Sequence, residues 1–404
     1  MIQATNARRA RWWLPAILLV PAIAAWVWLL LRGDAVEIRV AGREEVVLEG
    51  EEAQCPIRYV PDAPVKAFRN SRGRVQLIVS HQDAYRLTGP NFYQLGLDCV
   101  PIFGSHLEAG PARFNDREWL TSVYALDDAR VVGLVHMEYQ GHRHPKRCLA
   151  GRYRDCWYNA ITLALSTDGG RSFHHPPPPQ HLVASLPSHY RPGEGPAGVF
   201  GPSNIVLREE DGFYYALVRV IPYGEGGRGV CVLRTRDPTD PASWRAWDGE
   251  SFGYAFPNPY AEAAGSKSTE PCEPASTAEI ETMSQSLTFN TELDRFFLVG
   301  IASRIDPRTR RLRTGFYYSL SKDLIHWTER ELLLETETPN TFECGDPAPR
   351  SYPSVIDPDS PSRNYETSGR HPYLYFVRIH MEDCRPTGYR DLMRVPIEIR
   401  KGDG

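Results

Sequence analysis

The stretch NAITLALSTDGGRSF, residues 159–173, decides how the rest of the chain is read. An apolar, β-rich run over residues 161–165 enters the polar turn Ser166-Thr167-Asp168-Gly169-Gly170, and Phe173 closes it. Asp bonds its own backbone in such a turn, and Gly supplies positive φ without steric cost. The pattern predicts a hairpin with a pinned corner. The corner recurs. Thr235-Arg236-Asp237-Pro238 leads to Trp244 and Trp247, and Ser321-Lys322-Asp323 leads to Trp327. Each copy reads hydroxyl, any residue, Asp, turn, aromatic, and each follows an apolar run.

Those runs fall into five groups: 65–68 and 75–80; 119–126, 131–139 and 160–166; 203–208, 213–220 and 229–234; 286–290, 295–303 and 314–320; 352–356, 372–379 and 392–399. A sustained 3.6-residue period is almost absent, while short alternating or apolar runs recur. The grouping predicts an all-β fold, a five-bladed β-propeller, in which radial repetition leaves only short protected edges. A β-sandwich is the alternative, but its strands would not carry an Asp–aromatic corner at each unit.

Composition agrees. Nine Trp, 20 Tyr, 32 Gly and 34 Pro in 404 residues suit short strands joined by turns. A formal net charge of -4 leaves no basic field to draw nucleic acid.

Residues 12–31 carry no charge over 20 positions, long enough to span a bilayer as a helix. Arg8, Arg9 and Arg11 precede the run and Arg32 follows it, which places the N-terminus in the cytoplasm and the body outside. A cleaved signal peptide is the rival, but the ending VWLLLR is a poor cleavage site. The expected organisation is a cytoplasmic basic tail and signal-anchor at 1–33, a linker or edge strand at 34–54, and the propeller at 55–404, extracytoplasmic. Eight cysteines in an oxidising compartment are compatible with disulfides, and the one specific pairing expected is Cys148 with Cys156. No C-x-x-C pair is present, which argues against structural zinc.

At Ser321–Trp327, SKDLIHW resembles the blade corner of five-bladed propeller glycoside hydrolases, families 43, 32 and 130 among them. The stretch GPSNIVLREEDGFYYALV, residues 201–218, is similar to the third blade of those enzymes. STDGGRSF resembles the Asp-box of sialidases, in one good copy. The resemblance implies a carbohydrate ligand and two carboxyl groups across the scissile bond. Two departures stand out. The W-M-N-D-P-N-G-like opening of family 32 is missing, and Phe200 stands where family 43 usually carries its acid before Gly-Pro. A Glu-Gly-Pro occurs just upstream, Glu194-Gly195-Pro196.

In a propeller the chemistry sits where inner strands meet the central funnel. Asp62, before the first group, is where the resemblance implies the general base. Asp116, before the second, corresponds to the Asp that orients the base or raises the acid's pKa. Glu138 and Glu194 are the candidate acids. Glu138 shares one strand face with His136, in the polar run His136–His144. Arg69, His81, His136, Asn204, Gln285 and Tyr352 are candidate sugar-binding groups, and Trp157 and Tyr158 could stack on a sugar face. His136, Glu138, His142 and His144 could in principle hold zinc, but a loop histidine cluster is more often merely polar. No metal and no cofactor are expected. The expected function is a glycoside hydrolase-like protein acting on a carbohydrate by carboxylate acid/base catalysis, with contact to the membrane through the N-terminal helix. The alternative is a non-catalytic propeller that binds glycan or protein, which Phe200 favours.

Overall fold

Apolar runs separated by Asp-closed corners can satisfy their backbone only by pairing with the next run, and the chain does this as a series of antiparallel meanders. The structure, a computed structural model, describes residues 1, 36–55, 57–148, 152–224, 227–261, 272–344 and 348–402. The expected anchor at 12–31 lies outside them. Among the described residues no helix is long and apolar enough to cross a membrane.

Two N-terminal strands, β1 (Val36–Val40) and β2 (Glu45–Leu48), come first. The first blade is β3 (Lys66–Arg69), β4 (Val75–Ser80), β5 (Asp83–Gly89) and β6 (Gly96–Gly104). The second is β7 (Arg117–Ala125), β8 (Val131–Gln140), β9 (Trp157–Ser166) and the short β10 (Leu182–Ala184). A bridging strand, β11 (Ala197–Phe200), precedes the third blade: β12 (Val206–Arg208), β13 (Phe213–Ile221), β14 (Gly229–Thr235) and β15 (Arg245–Ala246). The fourth is β16 (Ser286–Asn290), β17 (Arg295–Ile305), β18 (Leu312–Ser321) and β19 (Glu331–Glu335). The fifth is β20 (Arg350–Ile356), β22 (Tyr373–Glu382) and β23 (Arg385–Lys401), while β21 (Thr367–Ser368) crosses to pair with β16.

The five inner strands close a ring. β3 packs on β7, β12 on β16, β16 on β20, and β20 on β3. Blades two and three are joined differently: β11 runs parallel to β9 and antiparallel to β13. That close pairing needs glycine at 198, where φ is +133° and a Cβ would lie 2.2 Å from the Asn159 carbonyl oxygen. The ring is locked at its N-terminal end by β1, which pairs with β23 from Val36↔Lys401 to Val40↔Ile397. Within the segment expected as a linker or edge strand, β1 is therefore the outer strand of the fifth blade.

Polar groups tie the hub. The ammonium of buried Lys66 donates to the Gln285 carbonyl at 2.7 Å and reaches Ser354 Oγ at 3.5 Å. Ser354 Oγ donates to the Val65 carbonyl, and Ser286 Oγ accepts from Val355 N–H. Asn204 Oδ1 accepts from Leu287 N–H at 3.3 Å.

In each corner the Asp carboxylate accepts from backbone N–H groups just past it, at offsets that differ between corners. Asp168 Oδ1 accepts from Arg171 and Ser172 N–H, Asp323 Oδ1 from Ile325 and His326 N–H, and Asp237 Oδ1 from Thr239 N–H. Phe173, Trp244 and Trp327 are buried beneath them. Four disulfides join Cys55–Cys99, Cys148–Cys156, Cys231–Cys272 and Cys344–Cys384, the second being the pairing expected from sequence.

Candidate functional site

Asp62 sits in the approach to β3, where its N–H donates to the Ser80 carbonyl at 2.7 Å and so is pinned to the end of β4. Its carboxylate accepts from the Tyr352 hydroxyl at 3.0 Å and lies 3.3 Å from Arg390 Nη2 and 3.8 Å from His81 Nε2. Tyr352 lies within β20 at the break in register between Ser351 and Ser354, in the left-handed region, φ 57°, which turns its side chain off the regular alternation. Burial, with the charge of Asp62 next, pushes the Tyr352 phenol well above its ordinary pKa, so it keeps its proton and donates.

Glu138 comes from the second blade. Register places Arg117, Glu138 and Asn159 in one cross-strand row and Trp119, His136 and Ile161 in the next. Gln140 Nε2 donates to Glu138 Oε2 at 2.7 Å, and His136 Nε2 lies 3.9 Å from Oε1. Burial pushes the Glu138 carboxyl up to about 7, and the charge of Asp62 adds to the rise. The two carboxyl groups are near enough for the charge of Asp62 to act on Glu138, and they differ in environment. Each keeps a small opening to solvent, 18% of the Asp62 side chain and 12% of Glu138.

Rings surround the pair. Tyr59 packs on His81, His81 on Trp119, Trp119 on His136 and His136 on Phe200, with centroids 5.6–6.1 Å apart. Asn159 Nδ2 donates to His136 Nε2 at 2.8 Å, and burial lowers the His136 pKa to about 4, so the ring is neutral with its proton on Nδ1. Three buried polar atoms here, Trp119 Nε1, Asn159 Oδ1 and Arg390 Nε, have no hydrogen-bond partner among the described residues.

The chain is similar in fold to propeller glycoside hydrolases. A thermostable family-43 glycoside hydrolase matches at 10% identity over 86% of this chain and 97% of that one, TM-score 0.43. A glycosyl hydrolase from Bacteroides ovatus matches at 9% identity over 87% and 93%, TM-score 0.47. An α-L-arabinanase from Cellvibrio cellulosa, solved with arabinohexaose, matches at 9% identity over 82% and 90%, TM-score 0.43. No protein-family model matches the chain, and no curated protein sequence matches it.

The expected site residues divide. Asp62, His81, His136, Glu138 and Tyr352 come together. Asp116 is fully buried, and its oxygens are taken by Gln140 N–H at 2.9 Å, His144 Nε2 at 2.9 Å and Arg117 Nη1 at 3.1 Å, so it braces the loop after β8. Glu194 stands on an exposed loop paired with Arg191 at 3.2 Å. Arg69 is at the far end of β3, where it donates to the carbonyls of Pro358, Ser360 and Ser362 and lies over the Tyr365 ring. Gln285 and Asn204 bond within the hub: the Gln285 amide oxygen accepts from Ser284 and Ile301 N–H. Arg390, Trp119 and Tyr59 were not singled out from sequence. Arg390 lies inside the long last strand with no motif around it, and Trp119 reads as one more apolar strand residue.

Proposed function

We propose that this funnel cleaves a glycosidic bond in a carbohydrate, with Glu138 as the proton donor and Asp62 as the base that activates water or attacks the sugar. The observation that carries the reading is the asymmetry of the two carboxyls. Glu138 is desolvated and holds its proton near neutral pH. Asp62 accepts from Tyr352 and pairs with Arg390. Two-carboxylate glycoside cleavage requires two carboxyl groups in different environments, one suited to give a proton and the other to act as base or nucleophile. Protonated Glu138 would give its proton to the leaving oxygen, and the Asp62 carboxylate would act on the opposite face of the sugar. The unpartnered Trp119, Asn159 and Arg390 atoms supply donors and an acceptor for sugar hydroxyls. The four disulfides support an extracytoplasmic body, held to the membrane by the apolar segment at 12–31.

One observation favours a second reading. Phe200 packs its ring on His136, where the resemblance implied an acid. A funnel that binds glycan without cleaving it would tolerate this. A panel of aryl glycosides, followed by Asp62→Asn and Glu138→Gln, separates the two. Turnover that disappears in both variants while sugar binding persists supports cleavage. Saturable glycan binding with no turnover on any member of the panel supports the binding propeller, and turnover unchanged by Asp62→Asn removes the assignment of the base.

A further inference from the structure

On β7 successive side chains alternate, so Trp119 faces the funnel and Glu118 the other side. There the fully buried Glu118 carboxylate is gripped between two imidazoles. His175 Nε2 lies 2.6 Å from Glu118 Oε1, and His106 Nδ1 lies 2.8 Å from Oε2. The three ligand atoms lie within 4.8 Å of one another. They come from separate places: His106 follows β6 of the first blade, Glu118 is on the inner strand of the second, and His175 lies past the Asp168 corner. They adjoin a cavity of about 540 Å³ lined by His106, Glu108, Asn115, His174 and His175 among others.

The geometry points to a divalent cation site of the zinc class, held by His106 Nδ1, Glu118 and His175 Nε2. The decisive detail is the outer bond of His175. Its Nδ1 lies 2.5 Å from the Leu163 carbonyl oxygen, which can only accept, so Nδ1 carries a proton. In the neutral ring Nε2 is then a bare lone pair aimed at a carboxyl oxygen, an arrangement that needs a proton or a metal ion between them. A backbone carbonyl that fixes the tautomer of a ligating histidine is the usual outer support of a zinc ligand. Two imidazole nitrogens and one carboxylate oxygen are a donor set suited to Zn²⁺, and three protein ligands leave a fourth position for water. Binding at about 2.0–2.2 Å per ligand asks the His–Glu contacts to open by several tenths of an ångström. The half-exposed His106 side chain, 46% accessible, gives both the freedom and the route of entry. An ion here would fasten the first blade to the second. The run His136–His144, weighed for metal from sequence, forms no such group among the described residues.

The test titrates Zn²⁺ into the chelator-stripped full-length chain by calorimetry, with thermal unfolding as a second readout. One ion per chain and a rise in Tm with Zn²⁺ are expected. His106→Ala, on the exposed side, and Glu118→Gln should each weaken binding by at least about tenfold, while the neighbouring His174→Ala leaves it unchanged. No stoichiometric binding overturns the site, leaving a charged imidazole–carboxylate contact. Binding that survives both His106→Ala and Glu118→Gln, or that is lost on His144→Ala instead, also overturns it.

Discussion

Tyr352 hands its hydroxyl hydrogen to Asp62 across 290 positions of sequence, at 3.0 Å. The bond joins the opening of the fifth blade to the approach of the first, at the seam where the ring closes. With Arg390 from β23 on the same oxygen, Asp62 Oδ1 is held by the last blade while its backbone is pinned to Ser80 of its own.

Tyr352→Phe therefore tests orientation apart from chemistry. Losing one hydrogen bond to a charged acceptor costs about 1.5–3 kcal/mol, so kcat/KM on a cleaved glycoside should fall roughly 10- to 100-fold. Asp62→Asn should fall further, by about 10²–10⁴. Equal losses in the two variants would place Asp62 outside the reacting atoms.

Glu138 makes the pH dependence directional. If its protonated form is the acid, activity declines as pH rises through about 7. The stability sign follows from the same shift. A carboxyl raised from its usual value of about 4.3 contributes stability fully below that value and loses it as pH climbs to 7. Glu138→Gln should therefore stabilise the protein at pH 8, by up to roughly 3 kcal/mol, and do little at pH 4. Denaturant melts at the two pH values check this.

Lys66 predicts a slope of the opposite kind. It is buried at the hub, its two hydrogen-bond acceptors are uncharged, and desolvation lowers its pKa to about 7. A lysine depressed from its ordinary value near 10.4 contributes stability above that value and loses it as pH falls to 7. Lys66→Met keeps the volume and removes this dependence. Its unfolding free energy should gain on the wild type by on the order of 4 kcal/mol between pH 10 and pH 7. The unpaired Gln285 carbonyl shifts the whole curve by about 1–3 kcal/mol without changing the slope.

The corners should cost stability and nothing else. Asp323→Ala strips the acceptor for Ile325 and His326 N–H, and Asp168→Ala does the same for Arg171 and Ser172. Each should lose about 1–2 kcal/mol, with glycan binding unchanged. A change in binding from either variant would move the corner into the functional surface.

The blades were legible because their cues are local. An Asp two residues past a hydroxyl, followed by an aromatic, closes its own turn whatever lies elsewhere. Inner and middle strands of blades two to five fell close to the apolar groups. Short outer strands such as β10 and β15 did not, since two or three residues carry no period to read. The acid candidates show the limit. Glu138 alternates with His136 on a strand and could be placed on one face. Asp116 and Glu194 had equal claims in sequence, and only the structure sends one to a buried brace and the other to an exposed ion pair.

The sequence by itself determined the unit: alternation, turn chemistry and spacing settle a meander and its repetition, because each is satisfied within a few tens of residues. The tertiary structure alone decided the site. Asp62, Glu138, Tyr352 and Arg390 meet only because five meanders close into a ring sealed by β1 on β23. The desolvation that raises the Glu138 pKa belongs to that closure and to no local segment. Arg390, inside an ordinary strand, shows it most plainly: nothing beside it in the chain marks it, and its role comes from what lies across the ring.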